Sequence, residues 1–233
     1  MYKRVLLKLS GEALAGEKKT GIDAEVVKKI CEKIAILANE GIQIGVVTGG
    51  GNFWRGRTSE NMDRTTSDYM GMLATVMNAL AVKDCLLQMG IKAVCETSIT
   101  MNQVAEPFTQ RDAVRHLEAG EVVVFGGGTG SPFFSTDTTA SLRACEIGAE
   151  TILVAKTIDG VYSADPKIDP NAVKYDEITY AEVLNNDLKV MDGASIAMCR
   201  DNNVSLVVFG LSDPENIVRA ARGEKIGTIV KAN

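Results

Sequence analysis

Short apolar runs alternate with amphipathic segments from one end of this chain to the other. Strand-like runs fall at 4–9, 42–48, 91–96, 121–126, 151–155, 205–209 and 227–230. Between them, 23–39 carries Val26, Val27, Ile30, Ile34 and Leu37 at helical spacing, and 66–89 is a longer run rich in Met and Leu. Segments 110–119, 136–147, 192–202 and 214–221 continue the helical pattern. Such alternation predicts an α/β fold: a three-layer sandwich with a mainly parallel central sheet covered by helices on both faces. The stretch 156–191 breaks the rhythm. It is rich in Asp, Pro and Tyr, and its DG and ADP turns predict an ordered surface excursion, partly hairpin, rather than a linker. With no internal repeat and no boundary signal, residues 1–233 read as one domain.

Three of the apolar runs end in glycine-rich turns: LLKLSGEA (6–13), VVTGGGNFWRG (46–56) and VVFGGGTGSPFFSTD (123–137). A glycine turn at the carboxyl end of a parallel strand exposes backbone N–H groups, and a following helix N-terminus favours anions. One such turn says little; three predict a site for several phosphates.

The totals narrow the function classes. A net charge of −5 argues against a general nucleic-acid or membrane-surface binder, which needs a basic footprint. The five cysteines are scattered without a C-x-x-C pair, as expected of small buried hydrophobes in a reducing cytoplasm. MYKRVLLKLSGEALAG reads as a first strand rather than a signal peptide, because Lys8 interrupts its apolar run. No apolar stretch is expected to approach the ~20 residues of a membrane span. The expected location is cytoplasmic.

Two familiar nucleotide templates fail. The P-loop needs G-x-x-x-x-G-K-[ST], but Gly11 to Gly16 continues into Glu17, Lys18 and Lys19. The dinucleotide fingerprint G-x-G-x-x-G meets Trp54 in the second turn and Ser131 in the third. What remains is chemistry carried by single side chains. Lys8, near the end of an apolar strand, either reaches solvent from a sheet edge or faces an anion beside Ser10 and Gly11. Arg55 offers a planar fork for phosphate oxygens, with Phe53 and Trp54 as packing residues. Asp137 either caps the helix starting there or orients lysines around a transferring phosphoryl group; Asp68, beside Ser67, is likewise a cap or a ligand. Tyr162 and Asp165 in DGVYSADP suit a base and sugar hydroxyls, or simply build a turn. The single histidine, His116, lies in an ordinary helical pattern. Hydrolases and zinc enzymes need positioned bases or ligand clusters, and no such pattern is visible. Phosphoryl transfer onto an acceptor that is already anionic needs only cations and backbone N–H groups aimed at the γ-phosphate.

KLSGEAL, GGGNFWRG, DYMGMLATVMNALA, GTGSPFFSTDTTA and DGVYSADP follow in this order. In this the chain resembles the bacterial uridylate (UMP) kinases of the amino-acid-kinase family, from about residue 2 to 231. GGGN is shared across the wider family, whereas D-x-M-G-M-L-A-T-x-M-N with G-T-G-x-P-F-F-x-T-D is far more specific. The resemblance implies the carbamate-kinase-like α/β sandwich of eight strands, a homohexamer, and transfer of phosphate from ATP to UMP with Mg²⁺. It implies that the N-terminal part mainly serves UMP and the part from about residue 150 mainly serves ATP. Lys8, Leu9, Ser10, Gly11, Gly51 and Arg55 resemble ATP-phosphate contacts, and Gly50 and Asp68 resemble UMP contacts. Thr129, Gly130, Ser131, Pro132, Phe133, Phe134, Ser135 and Thr136 resemble the UMP-binding loop. Asp137, with Lys8 and Arg55, resembles the catalytic set, and the helix beginning near 136 is expected to aim N–H groups at the phosphates. Tyr162, Asp165 and either Lys156 or Thr157 resemble the ATP nucleoside side. Gly16, Glu17, Lys18, Lys19, Thr20 and Gly21 fall where family members carry a segment linked to activation by GTP; inhibition by UTP is a further expectation. No residue is expected as a direct metal ligand, because Mg²⁺ is expected to be held mainly by nucleotide oxygens and water.

Overall fold

A computed structural model describes residues 1–55 and 61–232. Among the described residues nine strands form one sheet: β1 (Arg4–Leu9), β2 (Gln43–Thr48), β3 (Ala93–Thr97), β4 (Glu106–Pro107), β5 (Val122–Gly126), β6 (Thr151–Lys156), β7 (Glu177–Thr179), β8 (Ser205–Gly210) and β9 (Thr228–Lys231). Their order is β4-β3-β5-β2-β1-β6-β8-β9-β7, and β8–β9 is antiparallel within an otherwise parallel set of pairings. The helices are α1 (Gly11–Ala15), α2 (Ala24–Asn39), α3 (Arg64–Gln88), α4 (Gln110–Glu118), α5 (Thr136–Ile147), α6 (Tyr180–Asn185), α7 (Gly193–Asp201) and α8 (Glu215–Ala221).

Strand periodicity divides the core into two layers. Val5, Leu7 and Leu9 of β1 pack with Ile30 and Ile34 of α2, Val82 and Leu86 of α3, and Ile217 of α8. Leu6 of the same strand packs in the opposite layer with Leu117 of α4, Ala140 and Ile147 of α5, and Ile196 of α7. The three-layer sandwich expected from the alternation is therefore present. The expected eight strands become nine. β4 and β7 have two and three residues, too few to leave a period in the sequence. The excursion 156–191 does contain a hairpin-like pairing, with Ser163 N donating to Val173 O (2.9 Å) and Tyr175 N to Val161 O (2.9 Å). It also holds α6, whose start is a reciprocal cap between Thr179 and Glu182.

One expectation needs correction. α3 is long and apolar enough, by length and composition, to cross a membrane, with mean hydropathy 1.4 over its best window. In this fold it packs on α2, β3 and β5 and buries Met72, Ala79, Val82 and Leu86. Tyr69, Leu73 and Met77, one turn apart on its other side, are exposed.

The topology fixes the site. β5, β2 and β1 are neighbours and run parallel, so the turns that follow all three emerge at one edge of the sheet. Ligands of open α/β sheets bind at the carboxyl ends of the strands for this reason.

Candidate active site

The three glycine turns meet around a cavity of about 430 Å³. The first and second touch directly. A Cβ on Gly11 would sit 2.7 Å from Gly51 N and 2.5 Å from Asn52 Oδ1. The second turn lies equally close to α3, since a Cβ on Gly50 would stand 2.6 Å from Gly71 O and 2.9 Å from Ala74 Cβ. Gly50→Ala should therefore destabilise the fold by about 1–3 kcal/mol, as overpacking against backbone does. The check is thermal unfolding, and an unchanged melting temperature would refute this reading of the contact.

Two buried amides lock the second turn. Asn78 Nδ2 donates to Gly49 O (2.7 Å) and to Asn52 Oδ1 (2.8 Å), and Asn52 Nδ2 donates to Asn78 Oδ1 (3.0 Å) and to Gly21 O (2.7 Å). Gly21 N returns a bond to Asn52 O (2.9 Å), which ties the 16–21 segment to the turn. Within that segment, Gly16–Lys18 form one 3-10 turn closed by Lys19 at φ 62°.

Lys8 leaves the middle of the sheet, because β1 lies between β2 and β6; the sheet-edge alternative is overturned. Lys8 is buried, and its ammonium stands 2.7 Å from Asp137 Oδ1. Asp137 is not the helix cap. Ser135 caps α5, its Oγ accepting from Asp137 N (3.0 Å) and Thr138 N (3.2 Å). Two N–H groups expected to face phosphates are thus taken by the cap, so what α5 offers an anion there is chiefly its dipole. The cap is itself anchored: the Ser135 and Thr138 hydroxyls donate to Asp192 Oδ2, the latter at 2.9 Å. Burial alone would raise the Asp192 carboxyl, yet bonds from Ser135, Ser195 and Thr138 hold it below the ordinary carboxylate value.

Lys156 joins this electrostatic group. Its ammonium donates to Val190 O and to Lys189 O (3.2 Å). Burial, and then repulsion from Lys8, push it down to about 8, while Asp137 pulls it back up. Lys156 and Thr157 line a second cavity of about 630 Å³ with Leu211 and Pro214; it shares Ser10 and Glu12 with the first. Glu12, at the start of α1, pairs with the largely exposed Arg55 and so bridges the first and second turns.

On the other side of the first cavity, Asp68 connects α3 to the third turn. Asp63 caps α3 through Thr66 N (2.8 Å), so the capping alternative for Asp68 also falls. Asp68 Oδ2 accepts from Arg64 Nε (2.9 Å) and from Phe133 N (2.8 Å). Phe133 holds a left-handed backbone, φ 71°, which is costly for a bulky side chain and persists only when neighbours impose it. The Asp68 bond and the Arg64 guanidinium, 5.4 Å from the Phe133 ring centre, supply that constraint.

Lys8, Ser10, Gly11, Gly50, Gly51, Arg55 and Asp68 line the first cavity, together with Thr129, Ser131, Phe134, Ser135, Thr136 and Asp137. Gly130, Pro132 and Phe133 belong to the same loop without lining it, and Leu9 is in the apolar core. Tyr162 and Asp165 line neither cavity. Tyr162 Oη donates to Asp159 Oδ1 (2.7 Å), and Asp165 Oδ1 accepts from Lys167 N (2.9 Å). Trp54 Nε1 donates to Ser67 Oγ (2.9 Å). Gly56, which ends the second motif, lies outside the described residues. His116 is packed between Glu121 (2.6 Å) and Glu106 (3.5 Å). Sequence reasoning missed Glu12, Asn52, Asn78 and Asp192. Glu12, Asn52 and Asn78 stand inside the motifs KLSGEAL, GGGN and D-x-M-G-M-L-A-T-x-M-N, whereas Asp192 carried no signal.

The amino acid kinase family model matches residues 3–210. Among solved structures, the chain is similar to a UMP kinase from Bacillus anthracis at 38% identity and TM-score 0.95, covering 100% of this chain and 97% of that one. A UMP kinase from Ureaplasma parvum matches at 35% identity and TM-score 0.94 over 99% of each chain. A uridylate kinase from Archaeoglobus fulgidus matches at 28% identity and TM-score 0.74, over 99% of this chain and 100% of that one.

Proposed function

The chain belongs to the amino acid kinase family, and on that premise we propose that it is a UMP kinase, moving the γ-phosphoryl group of ATP to UMP to give ADP and UDP. The observation that carries this reading is the Lys8–Asp137 pair, 2.7 Å apart, where the three glycine turns converge. The acceptor phosphate is already an anion near pH 7, so its oxygen attacks in line without a base. Lys8 and Arg55 neutralise charge on the transferring group, and Asp137 fixes the Lys8 ammonium. Gly51 lets the backbone come close to the phosphates, and Ser10 and Gly11 hold those of ATP. The second cavity, with Lys156 and Thr157, suits the ATP nucleoside. Asp68, Gly50 and the loop 129–136 take UMP. One domain thus has a UMP side in its N-terminal part and an ATP side from about residue 150, where Tyr162 and Asp165 remain assigned.

Mg²⁺ enters this reading on the nucleotide. Among the described residues no trio of acidic, His or Cys side chains is gathered to cage a metal, and the nearby carboxylates Asp137 and Glu12 are engaged by Lys8 and Arg55. A metal held by phosphate oxygens and water would fit that donor set, and when bound it would supply neutralisation of phosphate charge. The exposed Tyr69, Leu73 and Met77 of α3 offer an apolar face for assembly, here assigned to a homohexamer. GTP activation through residues 16–21 would reach the second turn by the paired Gly21–Asn52 bonds; UTP is assigned as inhibitor. The five free cysteines fit a cytoplasmic location.

ADP release measured with MgATP and UMP, CMP, carbamate or acetylglutamate tests the substrate. UMP should be preferred by at least tenfold; equal or better turnover of any other acceptor would replace this assignment. GTP and UTP additions in the same assay, and particle mass by light scattering, check regulation and assembly.

A further inference from the structure

Behind the third turn lies a buried ionic group that phosphoryl transfer does not use. Glu96 of β3 pairs in register with Phe125 of β5 and is fully buried, and neither of its carboxyl oxygens has a hydrogen-bond partner. Arg143 of α5, also buried, lies with its guanidinium carbon 3.7 Å from the Phe108 ring centre and pairs through Nη1 with Glu146. Its Nη2 donates to Ser98 Oγ (2.7 Å), and Ser98 Oγ donates in turn to Gly128 O (2.8 Å). Ser98 N also donates to Gly126 O (3.2 Å). A Cβ on Gly130 would come within 3.1 Å of both Ser98 Cβ and Ser98 O. Ser98 is therefore the backing of the third turn, and Arg143 is what holds Ser98. Arg143 Nε is buried without a partner.

We propose that Arg143 is a positioning residue for the acceptor nucleotide, holding the third turn through Ser98, and that the proton on Glu96 sets how firmly it holds. The proposal rests on the UMP kinase reading. Buried unpaired polar groups are costly, and an ionised carboxylate more so than a neutral carboxyl. While Glu96 is protonated, Arg143 meets one carboxylate, Glu146, and the Ser98 hydroxyl. Once Glu96 ionises, a second buried anion competes for the same guanidinium, whose Nε is uncommitted, and draws it away from Ser98. The groups facing Glu96 are Glu106 from β4, Asp112 and His116 from α4, and Arg143 from α5, with Glu146 behind it. Burial pushes the Glu96 carboxyl up to about 7; His116 pulls it down, Glu106 and Asp112 push it further up, and Arg143 lowers it. The neutral form, and with it the firm hold, prevails below that pH and is lost above it.

The test is steady-state kinetics between pH 6.5 and 8.5, with UMP and ATP varied separately, and calorimetric titration of UMP. Arg143→Met should raise KM and Kd for UMP roughly tenfold, the worth of one charge-assisted hydrogen bond, with KM for ATP unchanged. Ser98→Ala, which removes little volume and guards against a misfolded Arg143 variant, should do the same, and the double variant should be no worse than either single one. In wild type, affinity for UMP should fall as pH rises; in Glu96→Gln it should fall less. The second ionisation of UMP itself, near pH 6, is common to both proteins and cancels in the comparison. Additive effects of Arg143→Met and Ser98→Ala, equal changes in both KM values, or the same pH slope in Glu96→Gln would overturn the proposal. Wild type that binds no UMP would remove the kinase reading as well; wild type that binds UMP beside variants that bind it equally well removes only the positioning role.

Discussion

Lys8→Ala is expected to lower kcat by roughly 10²–10³, the cost of removing one preorganised group that stabilises charge in the transition state. Three structural facts concentrate the effect on this lysine. It leaves the centre of the sheet, it is almost fully buried, and its ammonium is fixed 2.7 Å from Asp137. A cation already buried and fixed at the cavity wall would pay no reorganisation cost when charge moves. Because the variant also strands the Asp137 carboxylate, its melting temperature and calorimetric UMP binding must be measured alongside. A folded Lys8→Ala protein that binds UMP and keeps kcat within a factor of three of wild type would refute the assignment.

Asp137→Asn should cost about 10² in kcat, because a small misplacement of a catalytic group is worth about that much. Its pH signature separates orientation from base catalysis. Asp137 raises the Lys156 ammonium, which burial and Lys8 push down to about 8. Without that carboxylate, Lys156 loses its proton at lower pH, so the affinity for ATP should begin to fall at lower pH in the variant than in wild type. If wild type instead shows an acidic limb that Asp137→Asn abolishes, Asp137 is a base and the mechanism changes.

Much of the scaffold is legible in the sequence. Seven strands and the longer helices follow from burial periodicity, because a strand covered on both faces must be apolar throughout and a covering helix needs one apolar stripe. What escaped was short: α1, β4, β7 and α6 are held by caps and by neighbouring strands rather than by a pattern of their own. In the site, Lys8 was readable because a lysine in an apolar strand is anomalous. Asp192 was not, since an acid opening α7 looks ordinary until its partners are known. The caps also changed hands. Sequence offered Asp68 and Asp137, and the chain uses Asp63 and Ser135.

By itself, then, the sequence determined the layers, the three glycine turns and the cations placed beside them, because backbone freedom and burial are properties of local stretches. Tertiary structure alone decided that the turns face one cavity, that Lys8 meets Asp137 across the β1–α5 interface, and that Arg143 reaches the third turn through Ser98. Those contacts join residues 30 to well over 100 positions apart. Strand order brings them together, and no local pattern encodes strand order.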